Sequence, residues 1–339
     1  MQADAALDLG RMPKHLLAML PCPLKVPLEE AFLLGREKLL SSCADWNPED
    51  IRFEGNANQS EFYNKVESFR SAGELPDLIV TPGISSFFHK DFRTRFLDTA
   101  VFAQAADAAV QEPRESFRLA GLLDPTGRTT LLCVNPLVIV ADTGKLGERE
   151  LPSRWSDLLT PRYRGQITMR GHQGSFCETV LLTLQRWFGE EGLTRLGANV
   201  AAGMHPGQMA KLAGTDNPGA TALYVLPYFY ARMIRRTERI RVIWPEEGAI
   251  ASPVLLLMKQ DSSALSRKIA GFFLSRETAE LCEQAMFPSP YSSGASSVLA
   301  SEERPLLWMG WDTVWNREIG RLTEQANASF LQGHRDGSP

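Results

Sequence analysis

The chain has 339 residues, 44% hydrophobic and 22% charged, with a formal net charge of −4 and a pI near 5.8. That length predicts two lobes or domains with ordinary apolar cores. The acidic balance excludes the clustered basic excess that marks a nucleic-acid binder.

The first strand is expected at "HLLAML" from His15, and a helix at "PLEEAFLLGREKLLSSCADW", with Pro27 in its first turn followed by Glu29 and Glu30. "IRFEG" reads as a second strand. "NQSEFYNKVESFRSAG" reads as a helix capped by Ser60 and stopped by Gly73. "PDLIVTPG" is a third strand that ends in a Pro-Gly turn. Further strands are expected at "PLVIVAD", "GQITM", "TALYVL", "IRVIW" and "SPVLLLM". Helices are expected at "ETVLLTLQRWFGEEGLTRLGANV", "PYFYARMIRRT", "SALSRKIAGFFLS" and "ETAELCEQAM". The basic run "ARMIRRTERIR" reads as a solvated helix face, and the polar tail from Gly333 as a frayed end. Alternating β and α units predict a mostly parallel sheet covered on both faces.

No stretch reaches the roughly 18–20 apolar residues that span a bilayer, so no membrane insertion is expected. "HLLAML" is too short for the apolar core of a secretion signal. With Met1 as the native start, the chain is expected in the cytoplasm; trimmed from a longer precursor, it would be periplasmic or extracellular. Cys22, Cys43, Cys133, Cys177 and Cys282 are scattered, with no C-x-x-C pair and no zinc spacing, which fits a reducing compartment.

Ligands of such sheets bind beyond the carboxyl ends of the strands. That rule selects the turn Pro21–Lys25, the loop Gly55–Gln59, the turn Thr81–Ser86, the loop Gly171–Phe176 and the segment Leu226–Tyr230.

Four segments, in order, resemble the type 2 periplasmic-binding-protein family, the solute receptors of ABC importers, and within it the ferric-iron and iron-complex branch. The most specific is "LPSRWSDLLTPRYRGQITM", with Leu151-Pro152, Trp155, Asp157, Leu158, Leu159, Pro161, Tyr163 and Gly165 on the family's pattern. "PDLIVTPG" is similar to its Pro-x-Asp strand. "ASPVLLLMKQDSSALSRKIAGFFLSRETAELC" is similar to its returning strand and following helix, and "WPEEGAI" stands where an Asp-Gly usually precedes that strand. The resemblance covers about residues 13–300. It implies an α/β fold of two lobes joined by hinge crossovers around a central cleft. Residues 13–138 plus 249–290 would form lobe one and 139–248 plus 291–332 lobe two, with 1–12 and 333–339 as flexible ends. "PLVIVAD" and the segment near Gly248 would carry the crossings.

The departures bear on the ligand. Ferric-binding members hold iron with a Tyr-Tyr pair, where this chain has Tyr228-Phe229-Tyr230. Phenylalanine offers no metal-binding atom, and Tyr230 lies on another side of a helix, so bare ferric iron is not expected. The family's Tyr-Asn after the crossover is Ala141-Asp142 here.

Candidate ligand contacts follow. In "GHQGSFCETV", Gly174 permits close backbone approach, and Ser175 lies at a helix start that can receive an anion; Ser175 equally suits an N-cap with Glu178 completing a capping box. His172 is the best placed of the histidines, ahead of His205 and His89, and none has a metal-type partner at i+3 or i+4. Met204, His205 and Met209 are soft donors, although a methionine-lined helix more often packs into a core. Thr81, Ser85 and Ser86, with Gly83, suit an oxyanion or a helix cap; Asn56, Tyr228, Tyr230 and Glu247 complete the set. Cys22 and Lys25 stand out in "LPCPLK", because a helix N-terminus and a nearby ammonium favour the thiolate; a small Cys wedged between prolines explains them as well.

The sequence therefore predicts a solute-binding protein, more a receptor than an enzyme, that captures a small anionic or metal-complexed ligand. It would serve an ABC permease or act as a monomeric cytosolic sensor or carrier. No cofactor is firm, a bound metal or metal complex is conceivable, and the metal ligands are unknown. The alternative is an enzyme on the same fold. Thiamin-degrading enzymes resemble these receptors and use a cleft cysteine, so Cys22 would be the nucleophile and Glu246 or Glu247 its base. A regulatory effector domain is weaker, since no helix-turn-helix is visible.

Overall fold

The computed structural model describes residues 12–40, 47–55, 66, 68–84, 86–106, 111–172, 175–235, 238–291, 298–299 and 304–337. Strand β1 (Leu16–Met19) leads into helix α1 (Cys22–Leu40). The helix starts five residues earlier than its sequence suggests, because the Pro21 carbonyl accepts from the N–H groups of Leu24 (2.8 Å) and Lys25 (3.1 Å). Pro23 sits in the first turn, where its missing N–H costs nothing, and Pro27 lies inside the helix.

Strands β2 (Ile51–Glu54) and β3 (Leu78–Pro82) run parallel to β1 on its two sides. After the two-residue β4 (Phe102–Ala103) comes β5 (Thr130–Asp142), thirteen residues long and almost wholly buried. The second half is built from β6 (Ile167–His172), β7 (Ser175–Phe176), helix α2 (Glu178–Asn199), β8 (Val200–Met204), helix α3 (Pro206–Leu212), β9 (Leu223–Pro227), helix α4 (Tyr228–Arg232) and β10 (Ile240–Ile243). The chain returns through β11 (Ala249–Lys259), helices α5 (Ala264–Phe273) and α6 (Arg276–Gln284), and β12 (Leu306–Leu307). It closes with helices α7 (Trp311–Asn316) and α8 (Ile319–Gly337).

The main path of the sheet is β2-β1-β3-β11-β5-β9-β6-β7. It is mixed rather than mostly parallel: β11 runs antiparallel to both β3 and β5, and β5 antiparallel to β9. Both long strands are returns between halves, which reverses their direction relative to the neighbours built from β-α units. Burial on both faces follows from the period of two. Leu17 and Met19 of β1, Ile79 of β3 and Leu255 and Leu257 of β11 enter one core; Leu16, Ala18, Leu78, Val80, Val254 and Leu256 enter the other.

Several sequence expectations give way. The basic run at 231–241 is not one helix face: α4 ends at Arg232, Arg239 pairs with Asp142 (3.2 Å) and Asp216 (2.8 Å), and Arg241 lies in β10. Residues 333–337 are helical, and Gly333 is buried. A Cβ at Gly333 would overlap the Thr194 carbonyl, and one at Gly197 the Phe330 carbonyl, so α2 and α8 cross at near-backbone contact. The helix expected between β2 and β3 and its Ser60 cap fall mostly outside the described residues, as does Cys43.

At the start of β1, His15 Nδ1 lies 3.0 Å from Ser266 Oγ, which donates to Asp77 (2.7 Å), while the Lys259 ammonium reaches the Leu75 carbonyl (2.6 Å). Burial lowers the pKa of His15, with Asp77 pulling the other way.

Gly333→Ala should therefore destabilise the protein by about 1–3 kcal/mol, as overpacking does. Gly35→Ala, with open space around it in exposed α1, should stabilise by up to about 1 kcal/mol; urea midpoints compare the two. The His15 linkage has a definite sign: the unfolded chain takes up a proton near pH 6.5 that the buried ring resists, so stability falls as pH drops through that value. His15→Gln should shrink the difference between urea midpoints at pH 7.5 and 5.5; an unchanged difference places the linkage elsewhere.

Candidate functional site

A cavity of about 550 Å³ opens where the two halves meet at the carboxyl ends of their strands. From the first half come Pro21, at the entry to α1, and Pro82, Gly83 and Ile84 after β3. Gly83 has φ of +73°, which a side chain resists, and its N–H donates to the Pro253 carbonyl at 2.6 Å. The floor is formed by Asn135 of β5 and Ser252 of β11, which are register partners in the central ladder. From the second half come Arg170 and Gly171 of β6, Ser175 and Phe176 of β7, and Cys177, Glu178 and Thr179 at the start of α2. Gly203, Met204, His205, Pro206 and Gln208 complete the wall.

The electrostatics are lopsided. The Arg170 guanidinium lines the cavity and makes no hydrogen bond or ion pair with any described residue. Helix α2 begins here without a side-chain cap from Cys177, so the first-turn N–H groups that no intrahelical carbonyl can reach face the same space. The dipole of its first stretch, which runs from Glu178 to a kink at Gly189, adds about half a positive charge. Glu178 is half-buried, its carboxylate accepts from the Thr323 hydroxyl of α8 (2.7 Å), and burial pushes its pKa up to about 7. Asn135 Oδ1 is buried with no partner among the described residues.

The structure brings together only part of the expected site. Gly83 and Ser175 line the cavity. Ser175 is exposed in β7 rather than capping α2; Cys177 takes the N-cap position, so no capping box with Glu178 forms. Asn56, Ser85 and Gly174 lie outside the described residues, as does the side chain of His172. Thr81 is fully buried within β3, and Ser86 opens the turn Ser86–Phe88; neither lines the cavity. The Lys25 ammonium pairs with Glu29 at 2.6 Å. Tyr228 is buried against Trp244, and its hydroxyl receives Arg304 at 3.3 Å. Tyr230 packs edge-on to His205 near the rim, and burial, with Cys22 nearby, raises its phenol pKa. The two tyrosines therefore do not form a phenolate pair.

Cys22 is exposed at the first turn of α1, one residue from cavity-lining Pro21. Its proposed bases are engaged elsewhere. Glu246 pairs with Arg154 (2.5 Å), and the Glu247 carboxylate accepts from the Trp155 N–H (3.2 Å). Neither lines the cavity. The Trp155–Gly165 run is an architectural strap: the Trp155 indole donates to the Gly248 carbonyl (2.8 Å), and the Tyr163 hydroxyl to the Glu150 carbonyl. His205 caps α3 by accepting from the Gly207 N–H (3.1 Å), and Met209 is fully buried. Among the described residues, no group of three His, Cys, Asp or Glu could hold a metal ion. Nor is any helix among them long and apolar enough to cross a membrane.

Sequence reasoning missed Arg170, Glu178, Asn135 and Ser252 as cavity-lining groups. Arg170 directly follows the expected strand "GQITM", one residue before the loop selected by the strand-end rule, and lies inside β6. Asn135 and Ser252 sit inside strands and carry no local signal.

A family model for bacterial extracellular solute-binding proteins matches residues 73–317. No curated protein matches the chain. Among solved structures, the chain is similar to the periplasmic binding protein AfuA from Actinobacillus pleuropneumoniae with exogenous fructose-6-phosphate bound. The TM-score is 0.64 and the identity 14%, covering 94% of this chain and 98% of that one. It is also similar to a Trichodesmium protein in complex with iron and citrate ligands (TM-score 0.62, 12% identity, 95% and 99% covered). A third similar structure is the apo ferric ion-binding protein A of Pasteurella haemolytica (TM-score 0.58, 13% identity, 95% and 98% covered). These likenesses establish the two-lobed fold.

Thiol labelling checks the placement of Cys22. Of Cys22, Cys133, Cys177 and Cys282, only the first is exposed, so peptide mapping after brief alkylation should find Cys22 modified first. Equal labelling of the buried three would contradict the packing.

Proposed function

The chain belongs to the bacterial extracellular solute-binding proteins, and on that premise we propose that its cleft captures a small solute through an oxyanion group, a phosphate or a carboxylate. The observation that carries this reading is the Arg170 guanidinium, without a partner among the described residues, in one cavity with the start of α2, which Cys177 leaves without a side-chain cap. A planar fork of N–H donors and a helix N-terminus both suit a bound oxyanion, and each gains from a cleft that closes over it. The unmet acceptor Asn135 Oδ1 on the floor favours a solute that also carries hydroxyl donors, such as a sugar phosphate or a hydroxycarboxylate. A metal enters this reading as cargo already chelated by such an anion, in keeping with the iron and citrate of the Trichodesmium protein.

Membership of an extracellular family replaces the cytoplasmic expectation with an outward-facing one, and the natural partner is an ABC permease that accepts the loaded form. Receptor action needs no turnover, and the engagement of Glu246 and Glu247 outside the cavity removes the base assigned to Cys22.

Calorimetry and thermal shift at pH 6 with sulfate, phosphate, sugar phosphates and citrate test the reading. Binding by at least one is expected, with Arg170→Gln weakening it about 10- to 100-fold, the loss expected for a hydrogen bond to a charged group. Failure of the whole panel, or full affinity in the variant, would overturn it.

A further inference from the structure

Resting on the oxyanion reading of the cleft, we propose that Glu178 is its proton-linked selector: anion entry requires this carboxyl to be neutral, so each oxyanion bound brings one proton with it. The argument is geometric. Glu178 lines the same cavity as Arg170, at the first position of α2, where the anion would sit. One carboxyl oxygen accepts from the Thr323 hydroxyl at 2.7 Å; no cation among the described residues is paired with it, and the other oxygen has no partner there. An ionised carboxylate at that place would repel the ligand across a partly desolvated gap, where the interaction is several times stronger than in bulk water.

The helix sharpens the effect. At the N-terminus of α2 the dipole helps to hold Glu178 ionised. An oxyanion docked on the same N–H groups cancels that help and drives the carboxyl towards its protonated form. Burial has already brought the empty site close to this balance, so a physiological pH is enough to tip it. Once neutral, the carboxyl is a donor, and its free oxygen can hydrogen-bond the bound anion rather than oppose it.

Other groups near Glu178 could impose a pH dependence of their own. Arg170 and His205 line the same cavity, and Cys177 adjoins it in the chain. From α8 comes Thr323, flanked by exposed Arg321 and Glu324, with His89 packed at Gly320 further along. The floor residues Asn135 and Ser252 are neutral. A protonated imidazole at His205 would also favour a bound anion. The test must separate the two.

Sulfate is the probe, because it stays a dianion between pH 5.5 and 8.5. Its affinity for the wild-type protein should fall towards tenfold per pH unit above about pH 7, as one linked proton requires. Calorimetry in buffers of different ionisation enthalpy should show uptake of close to one proton per sulfate. Glu178→Gln should bind at pH 8.5 about as tightly as the wild type does at pH 6, with a flat profile. Thr323→Val removes the donor that favours the ionised form, so the wild-type fall-off should move to higher pH while the fold stays intact.

A wild-type profile that is already flat overturns the proposal, as does a slope retained in Glu178→Gln, which assigns the proton to His205. A Glu178→Gln protein weakened at every pH also overturns it, because it shows that sulfate needs the carboxyl group itself rather than merely the loss of its charge. Those three outcomes leave the oxyanion reading standing. Absence of sulfate binding at every pH, together with failure of the wider panel, would remove that reading and the selector with it.

Discussion

The pairing of two long antiparallel strands, β5 with β11, is the constraint on which the molecule depends. Strand β11 is held by β3 on one side and β5 on the other, and β5 by β11 and β9. The ladder thus fastens the two halves of the sheet at fixed register, with one irregularity between Val254 and Leu255. Its midpoint pairs Ser252 with Asn135, and that pair is the floor of the cavity. The hinge and the binding surface therefore share the same backbone. Any relative rotation of the halves changes the separation of Gly83 from Arg170, while the floor stays in place.

The charge arrangement makes sense against this frame. The chain is acidic overall, and many of its arginines are spoken for: Arg154 by Glu246, Arg114 by Glu283, Arg128 by Asp98, Arg239 by Asp142 and Asp216. Arg170, at the cavity, has no carboxylate partner among the described residues. A long cationic side chain at the rim of a cavity carries little cost in water. It gains most when a mobile anion replaces that water, and an internal partner would have cancelled this difference in advance.

Much of the fold was legible in the sequence because its signals are local and periodic. The strands at "LLAM", "LIVTP", "LYVLP" and "PVLLLM" are short apolar runs bounded by breakers, and the Trp155–Gly165 run carried the family resemblance. The mixed direction of the sheet was not legible, since antiparallel pairing of β5 and β11 depends on where the chain returns after more than a hundred residues. The C-terminal helix was misread because its tail is polar, and only its fit to α2 at Gly197 and Gly333 reveals why it stays folded to Gly337. The site was the least legible part. Gly83 and Ser175 followed from the strand-end rule. Cys22, Lys25 and Glu247 drew notice for unusual chemistry, but their surroundings give them a rim position, an ion pair and a backbone cap. Chemical rarity in a sequence marks a residue without saying what faces it.

The α2–α8 crossing bears on how the protein is made. Glu178 and the hydroxyl that meets it are 145 residues apart, and Thr323 reaches that carboxylate because α8 packs on α2. During synthesis the sheet, the floor and Arg170 can all be assembled while α8 is still inside the ribosome. The binding site is then a late product of folding, completed by a helix that contributes no strand and no hinge. A chain still emerging, or held extended by a chaperone, would carry the cleft but not the contact that tunes its carboxyl.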